Sequence, residues 1–76
     1  MSLPKKNTFM GNGALVIKSK PFSDHPGDWY LGVVLAKFGG QFVTWIYNSD
    51  GCGACEGHYF EDDLERATAD FNGRGA

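Results

Sequence analysis

The hydrophobic pattern of this chain is clearest between Trp29 and Tyr47, where two apolar, aromatic-rich runs flank the pair Gly39-Gly40. Glycine adopts the backbone angles of a two-residue hairpin turn at little cost, so the pattern predicts a β-hairpin. A turn at these glycines also fixes which residues face each other. The predicted pairs are Phe38 with Gln41, Ala36 with Val43, Val34 with Trp45, and Gly32 with Tyr47.

Both faces of the predicted hairpin are mainly apolar, because side chains alternate between the two faces of a strand. A sheet with one face in water would instead show polar residues at alternate positions. One face carries Leu31, Val33, Leu35, Phe42 and Ile46, and the other carries Val34, Phe38, Val43, Trp45 and Tyr47. Each face therefore needs a cover, and we expect the first face to lie under a helix. If the chain is a monomer, the N-terminal segment with Phe9 and Met10 is the alternative cover for the second face.

Two further strands are predicted on either side of the hairpin. Residues Ala14 to Lys20 follow the turn-forming pair Asn12-Gly13 and favour a strand. A proline-containing loop, Pro21 to Asp28, separates this strand from the hairpin. After a glycine-rich loop from Asn48 to Gly57, the residues His58 to Phe60 predict a short fourth strand.

The last part of the chain predicts a helix from Glu61 to Asn72. Its first turn is acidic, which suits the positive end of the helix dipole, and Asn72-Gly73 is a stop signal. Apolar residues at helical spacing form one stripe, which consists of Phe60, Leu64, Ala67 and Phe71. The sequence therefore predicts an α+β fold, a mostly antiparallel meander of about four strands with one C-terminal helix packed on one face. We expect a single domain over residues 1–76, with residues 1–8 mobile.

Composition and charge narrow the range of functions. The 76 residues include seven lysines and arginines against nine acidic residues, a formal net charge of -2. This composition lacks the basic excess that supplies most nonspecific affinity for nucleic acid, so we expect no nucleic-acid partner. No run approaches the ~20 apolar residues that span a bilayer. We therefore expect no membrane partner and a cytoplasmic location.

We predict that the hairpin face away from the helix is an interaction surface. An apolar face of this kind needs a partner, so we predict a non-enzymatic protein that self-associates there as a homodimer or a higher homo-oligomer. An alternative function is small-molecule binding, with an aromatic pocket for a flat or cationic ligand at the oligomer interface. The candidate residues for both functions are Trp29, Tyr30, Val34, Phe38, Val43, Trp45 and Tyr47.

The two cysteines give a third hypothesis, a zinc-stabilised module. Cys52 and Cys55 form a CxxC motif, and His58 and His25 would complete a set of four ligands. His25 stands alone in a proline-rich loop, whereas zinc modules usually bring a second ligand pair at short spacing, so we expect no metal and no other cofactor. The three-residue spacing from Cys55 to His58 points the two side chains to opposite faces of a strand, which disfavours a cysteine-nucleophile enzyme.

The C-terminal half of the chain resembles short hypothetical proteins of bacterial mobile DNA, including integron gene cassettes and phage-like elements. These proteins end in a similar aromatic strand and acidic helix, after a strand resembling Phe42 to Asn48. The residues that carry the resemblance are Gly57, His58, Tyr59, Phe60, Leu64, Ala67 and Phe71. The resemblance implies a compact, often oligomeric α+β protein of undefined activity, and it brings no catalytic residues to this sequence.

Overall fold

The computed structural model of the chain describes residues 5–21, 30–48 and 54–74, with the side chains of residues 30, 31, 48, 54 and 55 excepted. Four strands form one antiparallel sheet in chain order, and a helix follows them. The elements are β1 (Leu15–Pro21), β2 (Tyr30–Phe38), β3 (Gln41–Asn48), β4 (Ala54–Tyr59) and α1 (Leu64–Gly73). The predicted α+β fold, an antiparallel meander with a C-terminal helix, is confirmed. The helix in the described part of the chain is neither long nor apolar enough to cross a membrane.

The β2–β3 hairpin has the predicted register. Gly39 and Gly40 have φ angles of 59° and 81°, the left-handed conformations that a tight hairpin turn requires and that glycine adopts without strain. The observed pairs include Phe38 with Gln41, Ala36 with Val43, Val34 with Trp45, and Gly32 with Tyr47. The apolar pattern on both sides of a glycine pair is therefore sufficient to fix the centre of the sheet.

The fourth strand is longer than the sequence predicts. The expected strand was His58 to Phe60, whereas β4 begins at Ala54, inside the predicted loop. Glycine-rich segments have low strand propensity, but here Ala54 and Cys55 pair with Tyr47 and Ile46 of β3, and this pairing overrides local preference. The register shifts between Thr44 and Ile46, and Glu56 takes a φ of 51° at this irregularity.

The helix begins three residues later than predicted, because a side chain caps it. The Asp63 carboxylate accepts a hydrogen bond from the backbone N–H of Arg66 at 3.0 Å, so Asp63 is the N-cap and Leu64 is the first helical residue. Glu61 and Asp62 form a turn between β4 and the helix, and Glu61 has a φ of 54°. The predicted end of the helix is closer to the structure, since α1 runs to Gly73.

The helix covers the face of the hairpin that the sequence predicts. A buried cluster joins the sheet and the helix, and it consists of Val33, Leu35, Ile46, Ala67 and Phe71, with Ile17, Phe42 and Phe60 packed against it. The predicted place of Leu64 in this contact is wrong, because the Leu64 side chain is 42% exposed. Phe60 precedes the helix, so its spacing of four from Leu64 is not a helical spacing, although it packs against the same cluster as predicted. Of the predicted stripe, the residues within the helix that are buried are Ala67 and Phe71.

The opposite face is buried within the single chain. Its buried residues form a second cluster of Ala14, Val16, Val34, Ala36, Val43 and Trp45. Val34 and Val43 are fully buried and Trp45 is 5% exposed, so the expectation that this face is bare in an isolated chain is wrong. Most of these side chains are small, and the larger side chains of Met10, Phe38 and Tyr47 pack against them. A few large residues therefore cover a face that the sequence assigns to a partner.

Candidate functional site

The predicted interface residues come together, but they form core rather than surface. Val34, Val43 and Trp45 are buried in one cluster, and only Phe38 and Tyr47, at its margin, are partly exposed. Trp29 lies outside the described residues, and Tyr30 is described by its backbone alone. The structure thus confirms that five of the seven candidates share a face, and it leaves little of that face for a partner or a ligand.

Trp45 is fixed by aromatic neighbours and by a glycine. The rings of Phe38 and Tyr59 meet the indole edge to face, with centroids at 5.5 Å and 6.4 Å. Gly57 lies so close to the indole that a methyl group at this position would be 2.7 Å from Trp45 Nε1. This packing is typical of a core aromatic residue and leaves no room for a flat ligand beside Gly57.

A cleft is present elsewhere, at the junction between β4 and α1. It has a volume of about 330 Å³ and is lined by Tyr59, Phe60, Glu61, Asp62, Asp63 and Arg66. We call it the β4–α1 cleft. The Tyr59 side chain is 53% exposed, and Glu61 and Asp62 are exposed on the turn. Aromatic rings and carboxylates both attract positive charge, so the lining suits a cation.

Two of the polar residues in this lining also have a structural task. Asp63 caps the helix through the N–H of Arg66, which engages one of its carboxylate oxygens. Glu61 is tied to the sheet by its carbonyl oxygen, which accepts a hydrogen bond from the N–H of Phe42 at 2.6 Å. The backbone of the turn is therefore held in place, while the carboxylates of Glu61 and Asp62 remain exposed at the cleft.

A second polar group joins the C-terminal part of the helix to the sheet. The Thr44 hydroxyl donates to Asp70 Oδ2 at 2.6 Å, and His58 Nδ1 lies 3.0 Å from the same oxygen. Arg74 Nη1 donates to Thr44 Oγ1 at 3.0 Å, and Arg74 Nη2 donates to the carbonyl oxygen of Glu56 at 2.9 Å. We call Thr44, His58, Asp70 and Arg74 the polar cluster. It connects β3, β4 and the helix.

The charge of Asp70 is stabilised in this cluster. Burial raises the pKa of the Asp70 carboxyl. The hydrogen bonds with Thr44 and His58 and the positive charges of His58 and Arg74 lower this pKa, and together they outweigh the effect of burial. The net effect is a pKa below the ordinary value. Asp70 is therefore a carboxylate at neutral pH, and it accepts the hydrogen bond that the buried Thr44 hydroxyl needs.

The sequence did not predict the polar cluster, although one signal for it was present. Thr44 is the one polar position between Phe42 and Ile46 on the helix-facing side of β3, and it is fully buried. A buried hydroxyl needs a hydrogen-bond partner. The helix was the expected neighbour of this face, and Asp70 precedes the buried Phe71 along it. The sequence could thus have suggested the pair of Thr44 with Asp70, but not the approach of Arg74.

The predicted metal ligands are not brought together in the described residues. His25 and Cys52 lie outside them, and Cys55 is described only as a backbone position of β4 paired with Ile46. His58 contacts Asp70 through Nδ1. Within residues 5–21, 30–48 and 54–74 no group of three or more histidine, cysteine or acidic side chains is arranged to hold a metal ion.

Comparison with known proteins gives no relative from which a function can be transferred. No protein-family model, no curated protein and no solved structure matches this chain. The resemblance to proteins of integron cassettes and phage-like elements and the cytoplasmic location stay predictions.

Proposed function

We propose that this chain is a non-enzymatic binding protein that recognises a positively charged organic group in the β4–α1 cleft. The observation that carries this proposal is the combination of two aromatic rings and exposed carboxylates around a volume of about 330 Å³. Sites for small molecules usually have volumes of ~300 to 1,000 Å³. The cleft is at the small end of this range, which suits one amine or guanidinium group on a short apolar stem.

The lining favours a cation over an anion or a neutral ligand. Three carboxylates and one guanidinium surround the cleft, so its local charge is negative. A cation over an aromatic face gains about 0.5 to 2 kcal/mol, and this gain adds to attraction by the carboxylates. Tyr59 is the ring best placed for this contact, because it is half exposed at the edge strand of the sheet.

The polar cluster supports binding rather than catalysis. A histidine oriented by an aspartate is half of an acid–base arrangement, but catalysis also needs a substrate pocket within reach of the histidine. The lining of the β4–α1 cleft does not include His58 or Asp70. The hydrogen bonds among Thr44, Asp70 and Arg74 instead attach the helix to the sheet.

The proposal can be tested with arginine amide as the probe, titrated into the isotopically labelled chain while backbone amide resonances are recorded. We expect shifts to concentrate at residues 59–66, with weak affinity, a dissociation constant of ~1 mM, which corresponds to about 4 kcal/mol. Asp62→Asn should weaken binding, whereas Glu65→Gln, an exposed acidic residue outside the cleft lining, should not. Asp63 is avoided because it caps the helix.

Two results would contradict the cleft as a cation site. Equal weakening by Asp62→Asn and Glu65→Gln would show general attraction to the acidic surface. Shifts of similar size with acetyl-glutamate as the probe would show that charge plays no part in the contact.

Self-association is a second candidate function, and the exposed apolar side chains favour it. Phe9 is 73% exposed beside the β1 edge, and Tyr59 is 53% exposed on the β4 edge, where it pairs with Val43 and borders the buried face next to Trp45. A homodimer or a higher oligomer is therefore better supported through the edges of the sheet than through that face. Light scattering over a range of concentrations tests this candidate, since a mass that stays at 8.3 kDa at the highest concentration would contradict it.

A further inference from the structure

Charge is distributed unevenly along the chain. Because of the strand order, one edge of the sheet is basic and the opposite edge is acidic. The first 23 residues contain four lysines and no acidic residue, whereas residues 41–76 contain seven acidic residues and two arginines. β1 and β4 are at opposite edges of the sheet. The basic edge carries residues 5–9, which we call the lysine segment, and the acidic edge carries the β4–α1 cleft.

The lysine segment is held outside β1 and presents its side chains to water. The backbone N–H of Asn7 donates to the carbonyl oxygen of Val16 at 2.7 Å, and Phe9 forms an isolated bridge to β1. Lys5 and Lys6 are exposed. The Phe9 ring is 73% exposed, the largest value among the large apolar side chains in the described ranges. The lysine segment thus offers one exposed aromatic residue and two exposed lysines at the basic edge.

We infer that the cation bound in the β4–α1 cleft is the lysine segment of a second copy of this chain. This inference rests on the proposed function, because it names the occupant of the same cleft. The two surfaces match in kind: the segment offers Phe9 with two lysines, and the cleft offers Tyr59 and Phe60 with carboxylates. The segment cannot fill the cleft of its own chain, since it is hydrogen-bonded to β1 and two strands lie between.

The contact joins two different surfaces, so the copies associate head to tail. Each added copy leaves one lysine segment and one cleft unoccupied, and such an assembly grows or closes into a ring rather than stopping at a symmetric dimer. The attraction is mainly between exposed charges, which salt screens over ~10 Å at 0.1 M and ~30 Å at 0.01 M. Association should therefore rise with protein concentration and fall with salt.

The test is light scattering of the intact chain at low and at high salt. We expect the wild type at low salt to reach at least twice 8.3 kDa as its concentration approaches millimolar, and to return toward 8.3 kDa at high salt. Lys5→Glu with Lys6→Glu should keep the chain at 8.3 kDa under both conditions. Both side chains are exposed, so these changes should leave the far-ultraviolet circular dichroism spectrum unaltered.

Two further variants separate specific pairing from a change in net charge. Lys37→Glu alters an exposed lysine of the inner strand β2, outside both the lysine segment and the lining of the cleft, and should associate as the wild type does. A chain with Lys5→Glu, Lys6→Glu, Glu61→Lys and Asp62→Lys has reversed charge on both surfaces and the net charge of the wild type. We expect this chain to regain the association that the first two changes remove.

Failure of this inference can be distinguished from failure of the proposed function. A wild-type chain that stays at 8.3 kDa at low salt, or a Lys5→Glu, Lys6→Glu variant that associates normally, would overturn the lysine segment as the occupant. Titration of the same variant with arginine amide then decides the rest. Shifts confined to residues 59–66 would leave the cleft as a cation site for another ligand, whereas their absence would contradict both proposals.

Discussion

Gly57 offers the sharpest test of how this small core is packed. A Cβ atom added at Gly57 would lie 2.7 Å from Trp45 Nε1, 2.9 Å from Trp45 Cδ1 and 3.0 Å from Tyr59 Cε2. The Tyr59 side chain is half exposed and can turn away. The indole cannot do so easily, because it is buried and meets the rings of Phe38 and Tyr59 edge to face. Gly57→Ala should therefore force the sheet or the indole to move.

The sign of this effect is informative, because strand propensity predicts the opposite. Glycine in a strand interior is less favourable than alanine by about 0.5 to 1 kcal/mol, so alanine would stabilise an open position. Overpacking a close-packed site usually costs about 1 to 3 kcal/mol. We expect overpacking to dominate and Gly57→Ala to lower the free energy of unfolding by about 1 to 2 kcal/mol. In a domain of this size the melting temperature should fall by roughly 4 to 16 °C.

Urea and thermal unfolding followed by circular dichroism measure this change. Gly73→Ala is the matched control, since no atom lies within 4 Å of the added methyl group and the residue ends the helix. It should be neutral or stabilising. Replacing Trp45 with a smaller ring tests whether the indole contact is the cause. In the Trp45→Phe background, Gly57→Ala should lower the free energy of unfolding by less than in the wild type. If Gly57→Ala proves as stable as the wild type, the close contact with Trp45 does not constrain this core.

Three further predictions follow from the helix, the polar cluster and the cysteines. Leu64→Ala should change the free energy of unfolding by less than about 0.5 kcal/mol because Leu64 is exposed, whereas Phe71→Ala should cost about 3 to 5 kcal/mol, both measured in urea. Asp70 has a pKa below its ordinary value of 3.8, so it stabilises the fold above that pH and loses this contribution as the pH falls. Asp70→Asn should therefore lower the free energy of unfolding at pH 7 and make it depend less on pH below pH 4. Unfolding curves measured across this pH range test this, and equal pH dependence in the variant and the wild type would contradict it. Cys52→Ser with Cys55→Ser should leave the melting temperature nearly unchanged, and elemental analysis of the purified chain should find no stoichiometric zinc.

The centre of the fold could be predicted from the sequence because its signals are local. Two apolar runs around Gly39-Gly40 fix the turn, the turn fixes the register, and the register fixes which side chains share a face. The helix covers the predicted face because Ala67 and Phe71 have helical spacing on its apolar side. Each of these steps uses residues that are close in sequence, so tertiary context has little chance to override them.

The elements that the sequence did not predict depend on contacts between distant segments. Ala54 and Cys55 pair with β3 although the neighbouring Gly57 and the left-handed Glu56 disfavour a strand. Met10 packs on the second sheet face because the N-terminal segment returns along β1, a cover that the sequence offers only as the alternative to a partner. The cleft was missed for a similar reason. Its acidic residues were explained by the helix start, and only the fold places them beside Tyr59 and Phe60.

The two covered faces limit where the described part of this chain can bind a partner. In the described residues the helix occupies one face of the sheet, and the second face has fully buried valines beneath Met10, Phe38 and Tyr47. Among residues 5–21, 30–48 and 54–74, the surfaces left for recognition are the edges of the sheet and the junction that leads to the helix. The β1 edge is partly occupied by the chain itself, through the hydrogen bond from Asn7 to Val16. The β4 edge ends in the exposed Tyr59 and a turn of carboxylates, so this end is the surface on which function is best sought.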